Sequence, residues 1–451
     1  MPPPYKPVPR FREPLLVGSW SAFKDDRMGL PLRVARECGE FGEFRVGPMP
    51  LYLVNSPKML HVVLSEKAAV FSPESFAKNF TPVLGRTALP AIHGERHRKI
   101  RRIMAPAFTP KRLNGYCEQM VTLTDEAQRT LADGADVDMI AVTHRLTRDM
   151  IAKAVFLMDI NEEDSFFEAL RTVAEFIAES TANPLRLPLS VPTPKNKLVR
   201  EAIAFMRGRA QSLIALGRER GDKGDVLSML LLSKDEDGVG LTSEELLDQA
   251  LTLYLAGHET TSNALSWLWL ALARFPDIQA RLHAELDSVL GGRLPTHADL
   301  PRLPYTLQVI KESMRLFPPA NIFGREPTED IEVEGYGLRK GQVLLISPYV
   351  IHRHPEYFPD PERFDPERFT PENEKKLPRG VYIPFSSGPH VCIGQHFALM
   401  EMQLTVAHMC QNVSFSLVSD QPVRPLTAST LAPSPFLLKV NRRRAAMALA
   451  S

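Results

Sequence analysis

Cysteine is scarce in this chain: Cys38, Cys117, Cys392 and Cys410 are the only four in 451 residues. None belongs to a Cys-x-x-Cys pair, which argues against zinc-cluster and iron–sulfur sites. Four scattered thiols in so long a chain do not make a disulfide framework, so a reducing cytoplasm is the expected location. A charge excess of one sign is missing too. The 54 basic and 53 acidic residues leave a formal net charge of +1. That balance gives no case for nucleic acid or an anionic membrane surface as a partner. Long apolar runs are absent. The longest, "ALSWLWLALA" from Ala264, falls short of the roughly 18 residues of a membrane span. The first residues, "MPPPYKPVPRFREPLLVGSW", lack the apolar core of a signal peptide. No Gly-x-Gly-x-x-Gly fingerprint follows a strand pattern, so no dinucleotide- or flavin-binding unit is expected.

Proline, by contrast, is plentiful at 39 residues, many of them between periodic segments, as expected of helices joined by rigid loops. The clearest helix opens at "LTSEELLDQ", where Thr242 and Glu245 fit a capping box, and runs to Phe275 before Pro276 stops it. Its length, roughly 50 Å, is enough to cross a domain core. A second helix is expected over 304–317, and a third from Cys392 or just after to about Cys410. Strand signals are few: a hairpin over 42–57 around a Gly-Pro turn, and two or three strands over 331–351. The expected fold is mainly α, one large domain over 1–451 with a small β-rich subregion. Residues 1–20 read as an N-terminal extension and 441–451 as a flexible tail.

The stretch "FSSGPHVCIGQHFALM" places Cys392 before a helix, where free backbone amides and the macrodipole favour a thiolate. Gly388 and Gly394 would let the backbone approach something flat and large, and Phe385 would shield the sulfur. A lone cysteine is more often a small buried hydrophobe. A nucleophile using His390 or His396 as base is a further reading. The spacing of Phe385, Gly388, His390, Cys392, Gly394 and Ala398 resembles the haem-binding loop of the cytochrome P450 family, F-x-x-G-x-[HR]-x-C-x-G-x-x-x-A. The resemblance implies that Cys392 is the proximal ligand of a haem b iron.

Three more motifs stand in the family's order. "KESMRLFPP" puts Glu312 and Arg315 three apart on a helix, a spacing that alone means a solvated pair. It resembles the family's E-x-x-R, whose third member comes from "FDPERF". The triplet Pro-Glu-Arg occurs twice, and Phe364 selects Arg368 over Arg363. "AGHETT" sets Ala256 and Thr260 on one helix face, with Gly257 tolerating a locally widened turn. A mid-helix threonine commonly bonds back to its own helix, but an interior Glu259 is costly unless used. The family's acid–alcohol pair implies that Glu259 relays protons and Thr260 bonds the oxygen ligand; His258 receives no role. "HGERHRKIRRIMAPAF" carries His97 and Arg101 one turn apart, by itself a solvated basic face. By resemblance these two, with Arg325 and His390, bind the haem propionates.

The resemblance extends from the hairpin to the strands near 437. It implies a monooxygenase that inserts one atom of dioxygen into an apolar small molecule by hydroxylation or epoxidation. Electrons would come from a separate ferredoxin or flavodoxin with its reductase, docked near Arg98, Arg102, Lys111 and Arg112. Phe76, Phe80, Leu84, Leu89, Ala320, Ile322 and Leu431 are candidate pocket walls, or equally plain core. With no fixed cation among them, neutral or weakly amphipathic substrates are expected: fatty acids, terpenoids or polyketides. "AGHETTSNALSW" is closer to the fatty-acid-hydroxylating branch than to the camphor-type branch. The rival readings are a peroxide-driven haem enzyme, a non-catalytic haem sensor and a haem-free cysteine hydrolase. The acid–alcohol pair weighs against the first, and no visible output domain supports the second.

Overall fold

The computed structural model describes residues 5–14, 18–78, 80–157, 164–182, 187–427 and 429–443. The fold is mainly α with a few small sheets, as expected. The elements that build the site are the helices α1 (Gly94–Met104), α2 (Pro110–Arg129), α3 (Met139–Phe156), α4 (Ser243–Arg274), α5 (Pro304–Leu316) and α6 (Gln395–Asn412). They are joined by the strands β1 (Phe41–Val46), β2 (Met49–Val54), β3 (Phe71–Ser72), β4 (Phe323–Pro327) and β5 (Leu344–Ile346). Near the C-terminus follow β6 (Val413–Leu417), β7 (Pro425–Thr427), β8 (Leu431–Pro433) and β9 (Leu438–Arg442).

The long helix α4 starts as its sequence dictates. Thr242 and Glu245 each satisfy the other's backbone amide, and the helix stops before Pro276. Trp267 and Trp269 are fully buried on it. Trp267 stacks on Phe317 with ring centres 3.8 Å apart, and the Trp269 indole donates to the Thr143 hydroxyl of α3 at 3.1 Å. Residues 246–254 and 261–272 of α4 are buried, whereas Ala256 to Thr260 between them carry accessible surface. The accessible stretch thus interrupts an otherwise buried helix at its waist. Although Gly257 would tolerate a widened turn, α4 runs on as α-helix through it. A side chain at 257 would instead meet Ile151 of α3 at 2.6 Å, so the glycine serves close helix packing.

The hairpin forms as expected, β1 pairing with β2 from Phe41↔Val54 to Val46↔Met49. It belongs to a five-stranded sheet in the order β1-β2-β5-β4-β3. The strands expected over 331–351 end sooner, at Ile346. Ser347 then caps a short helix, Pro348–Ile351. Strand β4, which carries Arg325, was not foreseen, because "FGREP" is short and broken by Gly324 and Pro327. Within the N-terminal extension, Phe11 donates its amide to the Glu43 carbonyl and Lys6 to that of Gly335, both at 2.8 Å. The C-terminal end differs from expectation. The flexible tail cannot begin at 441. Asn441 and Arg442 pair with β6, and Arg443 binds the carbonyls of Cys410 and Gln411 and the Asp287 carboxylate. The remainder, 444–451, lies outside the described residues.

Candidate active site

The Cys392 loop is closed by an amide–carbonyl bond, Cys392 N–H to Phe385 O at 2.9 Å. The loop then enters α6, whose N-cap is Gly394, two residues beyond the cysteine. The Cys392 side chain has accessible surface yet lies wholly beneath the molecular envelope, so that surface faces inward. Burial pushes its thiol up, opposed by the nearby Gly394 amide and by the Arg101 charge. Gly388 has a different job from the one expected. It takes a positive φ of 68°, and a Cβ there would lie 1.8 Å from the Leu64 carbonyl oxygen. Its missing side chain makes room for protein backbone, not for a cofactor. At Gly394 a Cβ would meet nothing closer than the Cys392 sulfur at 3.9 Å, so only this glycine opens space beside the thiol.

Behind the loop stands a buried charge network. Arg315 grips Glu312 through two parallel bonds of 2.7 and 2.8 Å, both residues being fully buried. Arg368 approaches the same carboxylate at 3.5 Å. The Arg363 side chain, by contrast, is 70% exposed, and only its carbonyl meets Arg315, at 3.1 Å. Sequence reading missed His352. Its Nδ1–H donates to the Arg315 carbonyl at 3.2 Å, and its Nε2 accepts the Ile383 amide at 2.9 Å, two residues before Phe385. Burial and the neighbouring Arg315 charge lower this imidazole to about 3, so it is neutral, as an accepting Nε2 requires. "IHRHPEYF" has no periodicity that would have singled it out.

In front of the loop the structure gathers four cationic or donor groups from three elements: His97 and Arg101 of α1, Arg325 of β4, and His390 of the loop. The His97 and His390 rings stack 3.9 Å apart. Burial, with the nearby positive charges, lowers His97 to about 4 and His390 to about 3. Burial alone lowers Arg325 to about 10, and among the described residues its guanidinium bonds only to the neighbouring Gly324 carbonyl at 2.8 Å. Among the described residues no carboxylate pairs with Arg101 or Arg325. An uncompensated buried guanidinium such as that of Arg325 is costly, and a dianionic ligand offsets that cost. The donor set fits two carboxylates, and the inward-facing thiol nearby fits an iron ligand.

At the waist of α4, Glu259 and Thr260 are half-buried and do not bond to each other. The Thr260 hydroxyl donates back to the Ala256 carbonyl at 2.6 Å, as a helical threonine commonly does. The Glu259 carboxylate accepts from Ser429 and Thr430, residues that sequence reading did not select. Of the expected pocket walls, Leu431 is fully buried against Met28 and Tyr349, and is core. Leu84 and Leu89 also join the main core. Phe76, Phe80 and Ile322 are half-buried and Ala320 is exposed. Walls and core look alike in sequence, since both need only apolar side chains. On the surface, Arg98 pairs with Glu95, Arg102 with Glu236 and Arg112 with Asp222, at 2.7, 2.7 and 2.9 Å. Of the expected docking residues only Lys111 has no ion-pair partner among the described residues.

An inward thiol loop, a buried charge network behind it and a set of hydrogen-bond donors before it fit a haem-thiolate site. Comparison with known proteins agrees. The cytochrome P450 family model matches residues 2–440. Cyclooctatin synthase of Streptomyces melanosporofaciens is 35% identical over 407 residues, covering 88% of either chain. Cyclooctat-9-en-7-ol 5-monooxygenase of the same organism is 36% identical over 397 residues, 87% of this chain and 84% of the relative. The crystal structure of the cytochrome P450DA heme domain superimposes with a TM-score of 0.90 at 25% identity, covering 98% of this chain and 99% of that one. The chain belongs to the cytochrome P450 family. Its activity is haem-dependent monooxygenation of an apolar small molecule with dioxygen. Among the described residues, no helix is long and apolar enough to cross a membrane.

Proposed function

We propose that Cys392 ligates the haem iron, that His97, Arg101, Arg325 and His390 hold the propionates, and that Glu259 with Thr260 moves protons on the oxygen side. The observation that carries this reading is the gathering of His97, Arg101, Arg325 and His390 with no carboxylate paired to either arginine among the described residues. When bound, the haem supplies the oxidising chemistry of oxygen insertion. The chain supplies the rest. The Gly394 amide holds charge on the Cys392 sulfur. Glu312, Arg315 and Arg368, acting through His352 and Ile383, fix the loop's path. Thr260 presents a hydroxyl and Glu259 a carboxylate beside the open waist of α4.

The substrate we propose is a neutral cyclic alkenol or a hydrocarbon of that size. One relative's name states such an alkenol. The half-buried wall candidates Phe76, Phe80 and Ile322 offer no cation for a fatty-acid carboxylate. Electrons come from a separate acidic ferredoxin or flavodoxin in the cytoplasm. The paired Arg98, Arg102 and Arg112 exchange their own weak surface partners for its carboxylates. A ferric spin-state titration tests the substrate class. Cyclic alkenols should give a saturable shift at lower concentration than fatty acids of equal carbon number. The reverse order would overturn the choice. Replacing Arg325 with Gln should lower the haem-to-protein ratio after purification. Full retention would remove Arg325 from the propionate set.

A further inference from the structure

The carboxylate of Glu259 is held from one side only. The Ser429 hydroxyl lies 2.6 and 2.7 Å from its two oxygens, and the Thr430 hydroxyl donates to one of them at 2.8 Å. No Lys or Arg pairs with Glu259 among the described residues. Both hydroxyls come from the turn between β7 and β8, 170 and 171 residues further along the chain. That turn is itself fastened to α4. Asn263 Nδ2 donates to the Thr430 hydroxyl at 2.7 Å, and the Trp267 indole donates to the Leu431 carbonyl at 3.0 Å. Glu259, Asn263 and Trp267 follow at four-residue steps, so one stripe of α4 meets one turn. The Leu431 amide also donates to the Pro319 carbonyl at 3.0 Å, next to Ala320, an exposed pocket candidate.

We propose that Ser429 and Thr430 are positioning residues for Glu259, so that the C-terminal hairpin turn sets where the acid points during proton delivery. The proposal rests on the reading of Glu259 as the proton-carrying acid. A glutamate has several rotatable bonds and must lose their freedom to act at one place. Hydroxyl donors to a carboxylate are charge-assisted and directional, so they can fix it. A hydroxyl also both donates and accepts, so Ser429, half-exposed, can pass a proton to the acid it holds. Because the turn is tied to Pro319 as well, the acid's orientation follows the wall segment beside Ala320.

The test uses haem-loaded protein with a surrogate ferredoxin, its reductase and dioxygen, without organic substrate. One electron passed to dioxygen gives superoxide, while two electrons with two protons give hydrogen peroxide, so the product ratio reports proton delivery. Ser429→Ala with Thr430→Val should raise the superoxide-to-peroxide ratio about tenfold, towards that of Glu259→Gln. Ser429→Ala alone should raise it less, and Thr430→Ser should leave it unchanged. A second readout needs no turnover. The infrared carboxylate stretch of Glu259, isolated by subtracting the Glu259→Gln spectrum, should shift in the double variant and not in Thr430→Ser. If the double variant matches wild type in both readouts while Glu259→Gln does not, the positioning role is wrong and the role of Glu259 stands. If Glu259→Gln itself behaves as wild type, the proton-carrier reading fails and the proposal with it.

Discussion

Gly388 shows how a single position can carry a loop. Its left-handed backbone costs any other L-residue about 1–2 kcal/mol, before the contact with the Leu64 carbonyl is counted. Gly388→Ala should therefore lower both the melting temperature and the haem content of the purified protein. A variant with wild-type values in both would mean that the loop moves freely there. Glu401 on α6 makes a prediction of another kind. It is almost fully buried with no well-formed hydrogen bond, and burial raises its carboxyl well above 4.5 although the Thr261 hydroxyl opposes the shift. The folded protein thus keeps a proton that the unfolded chain releases above about that pH. Stability conferred by the neutral form is full below that pH and declines as pH rises towards the folded-state value. Glu401→Gln should flatten the fall in melting temperature on the alkaline side. An unchanged pH profile would contradict the assignment. Sequence alone singles out Cys392, because its neighbours at fixed offsets form a specific pattern. It could not give Glu401 its environment, since burial comes from packing against other helices.

Among the elements, those specified by neighbours in sequence were the legible ones. The start of α4 follows from Thr242 and Glu245, its end from Pro276, and the β1–β2 hairpin from Gly47-Pro48. Elements defined by distant partners were not. Strand β4 exists because β5 and β3 flank it, and the 429–431 turn matters because Asn263 and Trp267 hold it. The pairing of Glu312 with Arg315 was legible from its spacing, but that His352 links it to the thiol loop was not. Breaking a buried ion pair from one side leaves an unmatched charge, which costs about 3–5 kcal/mol. Glu312→Ala should therefore lose stability on that scale in chemical denaturation and lose haem with it. A loss of about 1 kcal/mol or less would mean that the pair is worth no more than a surface bridge.

For the whole molecule, helical periodicity correctly described a mainly α protein, and balanced composition could not say which surface charges are free. Arg98, Arg102 and Arg112 already have acidic partners and Lys111 has none among the described residues. Lys111→Glu should therefore slow reduction by an acidic ferredoxin more than Arg98→Glu does, and the difference should shrink at high salt. Equal effects would point to a different docking face. The central claim concerns the ligand beneath the haem. The most direct measurement is the absorption spectrum of the dithionite-reduced protein under carbon monoxide, for wild type and Cys392→His. The account predicts the strongly red-shifted Soret band of thiolate ligation in wild type and its loss in the variant. An imidazole-type band in the wild-type protein would contradict it.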